Sequence, residues 1–418
     1  MSVQTEVSIN PIQIRSAQKW QQMALGLLCM ASISSPQYVW ALLTKPLLER
    51  LDVHLPILQV TFSLLIIFQT FLSPLQGKLI DRFGARRLIG FGTLCTGASW
   101  VGAAYSHSLW MLYVFYGVVG GIGTGIVYIG IVGQVVRWFP EQRGFAAGMV
   151  AAGYGMGAIM TTLPISFSLN HYGLTTTLVL FGVGFAAFGG LASRGLRDAP
   201  SASPVVSYHS SAQRHYTPSQ MLKQPLFWLL FFMMACMSTS GLMVTSQLAN
   251  FASDVGVGQI LIWGMAALPL AMSLDRLTNG LTRPLFGWVS DRIGRENTMF
   301  VAFILEAGAM TLWLAFRHDP LLFILLSGVV FLGWGEIFSL FPATLTDTFG
   351  SQHATSNYGW LYMSQGVGSI LGGPLAALLY QVSHGWVPVF SLAIGLDIVT
   401  ALLAITILKP WRQRFITR

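Results

Sequence analysis

The chain has 418 residues, of which 54% are hydrophobic and only 9% charged, and its mean hydropathy is +0.63. A soluble domain carries about a quarter of its residues as charged side chains, so these totals exclude a water-soluble globular protein. The net charge of +8 would suit a nucleic-acid binder, but the placement of the charges, described below, accounts for it without one.

In chain order, the N-terminus is polar through Lys19 and an apolar run begins near Gln21. That run lacks a small-residue cleavage site, so it is expected to be a retained first span rather than a signal peptide. Apolar runs then recur to the far end, each long enough to cross a hydrocarbon core of about 30 Å as a helix. Twelve spans are predicted, at roughly 21–43, 57–78, 88–106, 109–136, 144–166, 175–195, 226–250, 260–287, 298–316, 320–345, 356–380 and 386–408. The expected fold class is an all-α polytopic membrane protein. The polar stretch 196–225, rich in Ser, Pro and His, divides it into a six-helix half (1–195), a linker and a second six-helix half (226–418). The three cysteines, Cys29, Cys95 and Cys236, fall in apolar spans and offer neither a disulfide framework nor metal-ligand spacing. No metal and no cofactor are expected.

Charge placement orients the chain. With both termini on one side, that side receives eighteen of the 23 Lys and Arg residues, the opposite side keeps Lys45, Arg50 and Arg317, and Arg276 and Arg283 fall inside span 8. The positive-inside rule then puts the termini and linker in the cytoplasm, with a bacterial inner membrane as the expected location. The basic charge follows from that topology, and no nucleic acid is implied.

An internal repeat supports two equivalent halves. "SPLQGKLIDRFGARR" at 73–87 matches "RPLFGWVSDRIGREN" at 283–297, with Asp81 and Asp291 separated by 210 residues. Parallel halves with a site between them near the midplane are one transporter plan. The paired pattern at Gly77, Asp81, Arg82, Gly84 and Arg86, and at Gly287, Asp291, Arg292, Gly294 and Arg295, resembles the loop signature of the major facilitator superfamily. The resemblance implies twelve helices and cytoplasmic charged contacts that break and reform during alternating access. "GVVGGIGTGIVYIG" at 117–130 spaces Gly117, Gly121 and Gly125 four apart, which permits close helix approach.

Ionisable residues inside the spans are the functional pointers, since each costs about 2.5–3.5 kcal/mol on insertion scales. They are Asp275, Arg276 and Arg283 in span 8, Glu306 in span 9, Glu336 in span 10 and Asp397 in span 12. Arg276 and Arg283 are seven apart, nearly on one helical face and about 10 Å apart along the axis. A buried arginine suits the two-point grip of a carboxylate; each arginine could equally pair with Asp275 or Glu336 for structural reasons. No phosphate-binding loop is present, and no nucleophile–base pair marks an enzyme. A sensor or an assembly partner with a transporter's fold would call for an appended domain, for which the sequence offers no candidate.

"NGLTRPLFGWVSDRIGR", "RWFPEQRGFAAGMVAAGYGMG", "SNYGWLYMSQGVGSILGGP" and "SSPQYVW" resemble the bacterial oxalate:formate antiporter family. The resemblance implies that Arg283 is the substrate-binding arginine. It places Gln37, Tyr38 and Trp40 of span 1, Gln69 of span 2, Tyr128 of span 4, Tyr154 of span 5 and Trp334 of span 10 around the substrate. Two positions depart from that family: Gln365 stands where it has a lysine, and Phe338 where it has a tyrosine, with Glu336 two positions before. Gln365 can donate to a carboxylate but cannot neutralise a second charge, a task open to Arg276. Burial disfavours the charge of Glu336, which suits it to carrying a proton.

The expected function is therefore transport of small carboxylate anions by a monomer in the lipid bilayer. The leading form is oxalate exchanged for formate. The alternative is proton-coupled or exchange transport of monocarboxylates such as pyruvate, lactate or formate.

Overall fold

The computed structural model describes residues 16–199 and 215–417. Half of the linker (200–214) and the basic residues Arg15, Arg214 and Arg418 lie outside the described residues. The first half consists of α1 (Ala17–Tyr38 continued by Trp40–Leu51), α2 (Ile57–Thr70 continued by Ser73–Phe83), α3 (Ala85–Ala104), α4 (Leu109–Trp138), α5 (143–172) and α6 (174–194). The second consists of α7 (Pro225–Asp254), α8 (Ala267–Ile293), α9 (Arg295–Ala315), α10 (Pro320–Phe349), α11 (Ala354–Ser383) and α12 (Trp386–Thr417).

Among the described residues, seven continuous helices are long and apolar enough to cross a bilayer, or nine if each bent pair is one span. The twelve are completed by glycine-rich α3, charge-bearing α8, and the division of one 52-residue helix at Gly173, whose φ of 75° and ψ of 175° break helical geometry. The bends have local causes. α2 turns by 46° just before Ser73 and Pro74, where proline removes a backbone donor. α10 is interrupted at Gly335–Glu336, between Pro320–Trp334 and Ile337–Phe349.

Two expectations need correcting. Span 8 does not start at 260: residues Leu261–Ile262 and Met265–Ala266 form a two-stranded hairpin, and helix begins at Ala267 and continues to Ile293. The hairpin turns on Trp263 and Gly264, both at positive φ, a conformation that ends any helical continuation. The loop signatures are also more helical than their name implies. Asp81 and Arg82 close α2 and Asp291 and Arg292 close α8, and the chain leaves helix only at Gly84 (φ 88°) and Gly294 (φ 92°).

The halves meet through α2, α4 and α5 against α8, α10 and α11, and the contact is concentrated toward the face that carries the basic residues. There α5 crosses α8 backbone to backbone. A Cβ at Gly144 would lie 2.5 Å from the Gly287 carbonyl, and one at Gly148 would overlap the Arg283 carbonyl. At the repeat-related crossing of α2 and α11, a Cβ at Gly77 would lie 2.8 Å from the Ser356 Cα, and one at Gly359 would overlap the Ser73 carbonyl. Each signature aspartate then caps a helix of the opposite half. Asp291 accepts from the backbone N–H of Gly144 (3.0 Å) and Phe145 (2.9 Å) at the start of α5. Asp81 accepts from the N–H of Ser356 (3.1 Å) and from its hydroxyl near the start of α11. A carboxylate at a helix N-terminus satisfies otherwise orphaned donors and complements the helix dipole.

Arginines tie these caps down. Arg137 donates to Asp81 (2.7 Å) and Thr355 (3.0 Å), Arg295 to Asp291 (2.6 Å), and Asp347 bridges Arg143 (2.5 Å) and Arg295 (2.9 Å). Toward the other face the halves separate. Beyond the contact of Met156 with Gly280, Met160 and Leu163 of α5 are 78% and 77% exposed, and Ile370 and Leu371 of α11 are exposed as well. The structure is shut at its basic face and splayed at the opposite one.

Gly148→Leu should force α5 and α8 apart at this crossing. Overpacking of this kind costs about 1–3 kcal/mol, enough to shift a two-state balance by roughly 5–150-fold. Spin labels on α5 and α8 at the basic face should report a longer distance in the variant, with helix content unchanged. An unchanged distance would show that the crossing does not hold this face shut.

Candidate functional site

Arg283 lies near the middle of α8 and is only 1% exposed. Its Nη1 donates to the Ala151 carbonyl of α5 and its Nη2 to Asn279 Oδ1 one turn earlier, both at 2.8 Å. The guanidinium carbon stands 4.6 Å from the centroid of the Phe338 ring of α10, within cation–π range. Across from it, Gly155 of α5 presents no side chain; a Cβ there would come within 3.6 Å of the guanidinium carbon. The Nε of Arg283 has no hydrogen-bond partner.

A cage of aromatic rings continues from this point into the first half. Tyr154 meets Tyr38 at 5.4 Å and Tyr128 at 5.2 Å, both edge to face, and Tyr128 stacks on Tyr362 of α11 at 4.9 Å. Tyr128 also meets Phe338 at 6.3 Å, so the ring under Arg283 belongs to the same cluster. Trp334 packs edge-on to Phe338 at 6.0 Å, and its indole occupies the space left by Gly241 of α7. Polar side chains fix the ring edges. Tyr154 donates to Gln37 Oε1 at 2.5 Å, and Gln69 Nε2 donates to Tyr362 at 3.1 Å and Tyr154 at 3.4 Å.

The cage is rich in buried groups that lack partners. The Tyr128 and Tyr358 hydroxyls, Trp334 Nε1, Asn279 Nδ2 and Arg283 Nε have no hydrogen-bond partner among the described residues. Native interiors leave few such groups, and each costs about 1–3 kcal/mol. Four donors of the cage together with the free Nε of the guanidinium itself suit a small anion with several acceptor oxygens.

The structure thus brings Gln37, Tyr38, Gln69, Tyr128, Tyr154, Trp334 and Arg283 into one cluster, and Gln365 lies one turn beyond Tyr362 on α11 with its Oε1 unpaired among the described residues. Trp40 is a correction. Its Nε1 donates to Gln59 at 3.0 Å and its ring packs on Tyr116 and Phe62, because the break after Tyr38 turns the second segment of α1 by 47°. Asn279, Tyr358 and Tyr362 were missed. Their signals were present: Asn279 stands four residues before Arg283, and Tyr362 and Tyr358 three and seven before Gln365, at helical spacing on shared faces.

The other ionisable residues of the spans divide in two. Asp275 is buried with both oxygens unpaired, and Arg276 is exposed with no ion pair among the described residues. Arg276 is not tied to Asp275, from which one helical step turns it by about 100°, and although seven residues put it near the face of Arg283, it is exposed where Arg283 is buried. Glu336 is fully buried at the interruption of α10, next to Gly335, which packs on Asn279. Glu306 of α9, pressed against Gly333, and Asp397 of α12 are likewise fully buried, and no oxygen of the three carboxyls is paired. The buried cations among the described residues are Arg143, Arg283 and Arg295, and the first and last are engaged by aspartates at the basic face.

A family model of the Major Facilitator Superfamily matches residues 23–277 and 258–416. The chain is similar to the oxalate:formate antiporter of Oxalobacter formigenes, 31% identical over 370 residues that cover 88% of this chain and 86% of that one. It is also similar to an uncharacterized MFS-type transporter of Escherichia coli, YhjX, 27% identical over 342 residues covering 80% and 81%. Its fold matches that of the proton:xylose symporter XylE with a TM-score of 0.73 over 94% of this chain and 96% of that one, at 12% identity.

Arg283→Gln should abolish ligand binding while the protein inserts and folds, since it removes a buried charge along with its function. Arg283→Lys keeps the charge but loses the planar fork and should weaken binding by at least tenfold. Isothermal titration of the purified variants with small carboxylates is the check; near-normal affinity in the Gln variant would make the arginine structural.

Proposed function

The chain belongs to the Major Facilitator Superfamily, and from that premise we propose that it transports small carboxylate anions by alternating access, exchanging oxalate and formate across a bacterial inner membrane. The observation that carries this is a fully buried guanidinium, with its Nε unpaired among the described residues, set over the Phe338 ring of an aromatic cage. A carboxylate accepts from the guanidinium in two parallel bonds and from the tyrosine and tryptophan edges around it. Such charge-assisted bonds contribute about 1.5–3 kcal/mol each. Because Arg283, Phe338 and Tyr362 belong to one half and Tyr38, Tyr128 and Tyr154 to the other, a bound anion bridges the halves. Bridging favours closure on the splayed face, which works against the caps at the basic face. The basic face is cytoplasmic in this reading, the protein acts as a monomer, and no chemical step is catalysed. Uptake of a dianion with release of a monoanion would carry net negative charge inward.

One observation favours a second reading. Arg283 is a single positive charge, and Gln365 adds none; a monocarboxylate balances it, whereas oxalate leaves one negative charge over. Glu336 stands two residues before Phe338, whose ring carries the Arg283 guanidinium, and enters no ion pair among the described residues. The guanidinium can balance the substrate or a Glu336 carboxylate, not both, so binding of a monocarboxylate such as pyruvate would favour a protonated Glu336. Substrate and proton would then move together.

Competition of oxalate, formate, malonate, pyruvate and lactate for one labelled substrate in proteoliposomes separates the two. Exchange of oxalate for internal formate, undiminished in Glu336→Gln, supports the first reading. Pyruvate accumulation driven by a pH gradient, with oxalate failing to compete and Glu336→Gln losing the proton dependence, establishes the second. No flux of any carboxylate would overturn both.

A further inference from the structure

We propose that the groove between α3 and α6 is a binding site for an anionic phospholipid of the leaflet at the basic face. This groove is on the outer flank of the first half, away from the carboxylate cage, and encloses about 1060 Å³. Its floor is made of small residues, among them Gly90, Gly97, Ala187 and Gly190. The exposed side chains of Phe91 and Leu94 on α3 and Val183 and Leu191 on α6 form its walls. At one end stand Arg86 and Arg87 of α3 and Arg194 of α6.

The dimensions and charge select the ligand. From Arg87 to Val101, α3 rises about 21 Å, the depth of one leaflet's acyl chains, about 15 Å, plus its headgroup layer. An apolar trough of that length accepts an acyl chain and has no use for a small soluble anion. The three arginines are exposed, lie at the basic face, and enter no ion pair among the described residues. No acidic residue lines the groove; Asp198 lies outside it, near Gly84. The first turn of α3 adds to this field, with no side-chain cap and no acidic residue, so its free backbone N–H groups and the helix dipole also favour a phosphate. Ser193, at the same end, is satisfied by the Gly190 carbonyl at 2.8 Å. The complement of this surface is a phosphate with a net negative headgroup, anchored by acyl chains along the trough.

The test uses the purified full-length chain in detergent, titrated with phosphatidylglycerol or phosphatidylcholine of identical acyl chains, with bound lipid counted by native mass spectrometry. We expect tighter retention of phosphatidylglycerol by at least tenfold. With about a fivefold contribution per basic residue, the combined variant Arg86→Gln, Arg87→Gln, Arg194→Gln should lose roughly 100-fold. The corresponding triple Lys variant should keep most of the binding, which guards against loss by misfolding. Ala187→Phe fills the trough without changing charge and should lose phosphatidylglycerol as well. Equal retention of the two lipids, or retention unaffected by the Gln variant, would overturn the proposal. So would retention unaffected by Ala187→Phe, or displacement by millimolar inorganic phosphate, either of which would mark a site for free anions.

Discussion

The crossing of α5 over α8 joins the two working parts of this molecule through a single residue. Gly148 rests on the Arg283 carbonyl, and three residues on, the Ala151 carbonyl receives the Arg283 guanidinium. The backbone of Arg283 is thus part of the seal at the basic face, while its side chain is the charge of the cage. Any relative rotation of the halves that opens the seal must also shift the guanidinium against α5. A ligand that replaces Ala151 or Asn279 as the arginine's acceptor weakens the same seal. In the function proposed above, substrate binding and gating would be coupled here by covalent continuity, with no need for a long relay.

The cage itself is a costly arrangement. Four unpaired donors and a buried cation with a free Nε, in a bundle that also holds four unpaired carboxyls among the described residues, oppose folding by several kcal/mol. The surrounding structure offsets this with continuous aromatic packing, from Tyr38 through Tyr154, Tyr128 and Tyr362, and with the helix caps supplied by Asp81 and Asp291. The interruption of α10 at Gly335–Glu336 lies at the same depth. A broken helix is tolerated inside a membrane only where protein or a water-filled cavity covers the free backbone groups, and here it brings Trp334, Glu336 and Phe338 to the site in three different directions.

The repeat makes the asymmetry of function visible. Ser73 and Arg283 occupy equivalent positions, each followed by proline and, four residues on, by a glycine at an inter-half crossing. Ser73 donates its hydroxyl to the Gly359 carbonyl at 2.6 Å, much as Arg283 donates to the Ala151 carbonyl. One half therefore seals with a neutral side chain, and the other places a cation at the corresponding point. A pair of near-identical scaffolds thus yields a site with its fixed cation on one side only.

Membrane class, the twelve spans and the twofold repeat are local properties, written in apolar run length and in paired short motifs, and they could be read residue by residue. Arg283 was legible for the same reason, since a cation within an apolar span is anomalous wherever the chain folds. The partners of these residues were not legible. That Asp291 caps α5, that Asp347 bridges Arg143 and Arg295, and that Tyr362 stacks on Tyr128 all depend on helices far apart in sequence being brought side by side. Trp40 lies away from the cage because of a bend in α1, and Arg276, though near the helical face of Arg283, is exposed. Sequence by itself determined which helices form and which of their residues carry charge. Only tertiary packing decided which donors and acceptors converge, because that depends on interhelical geometry that no local stretch of the chain contains.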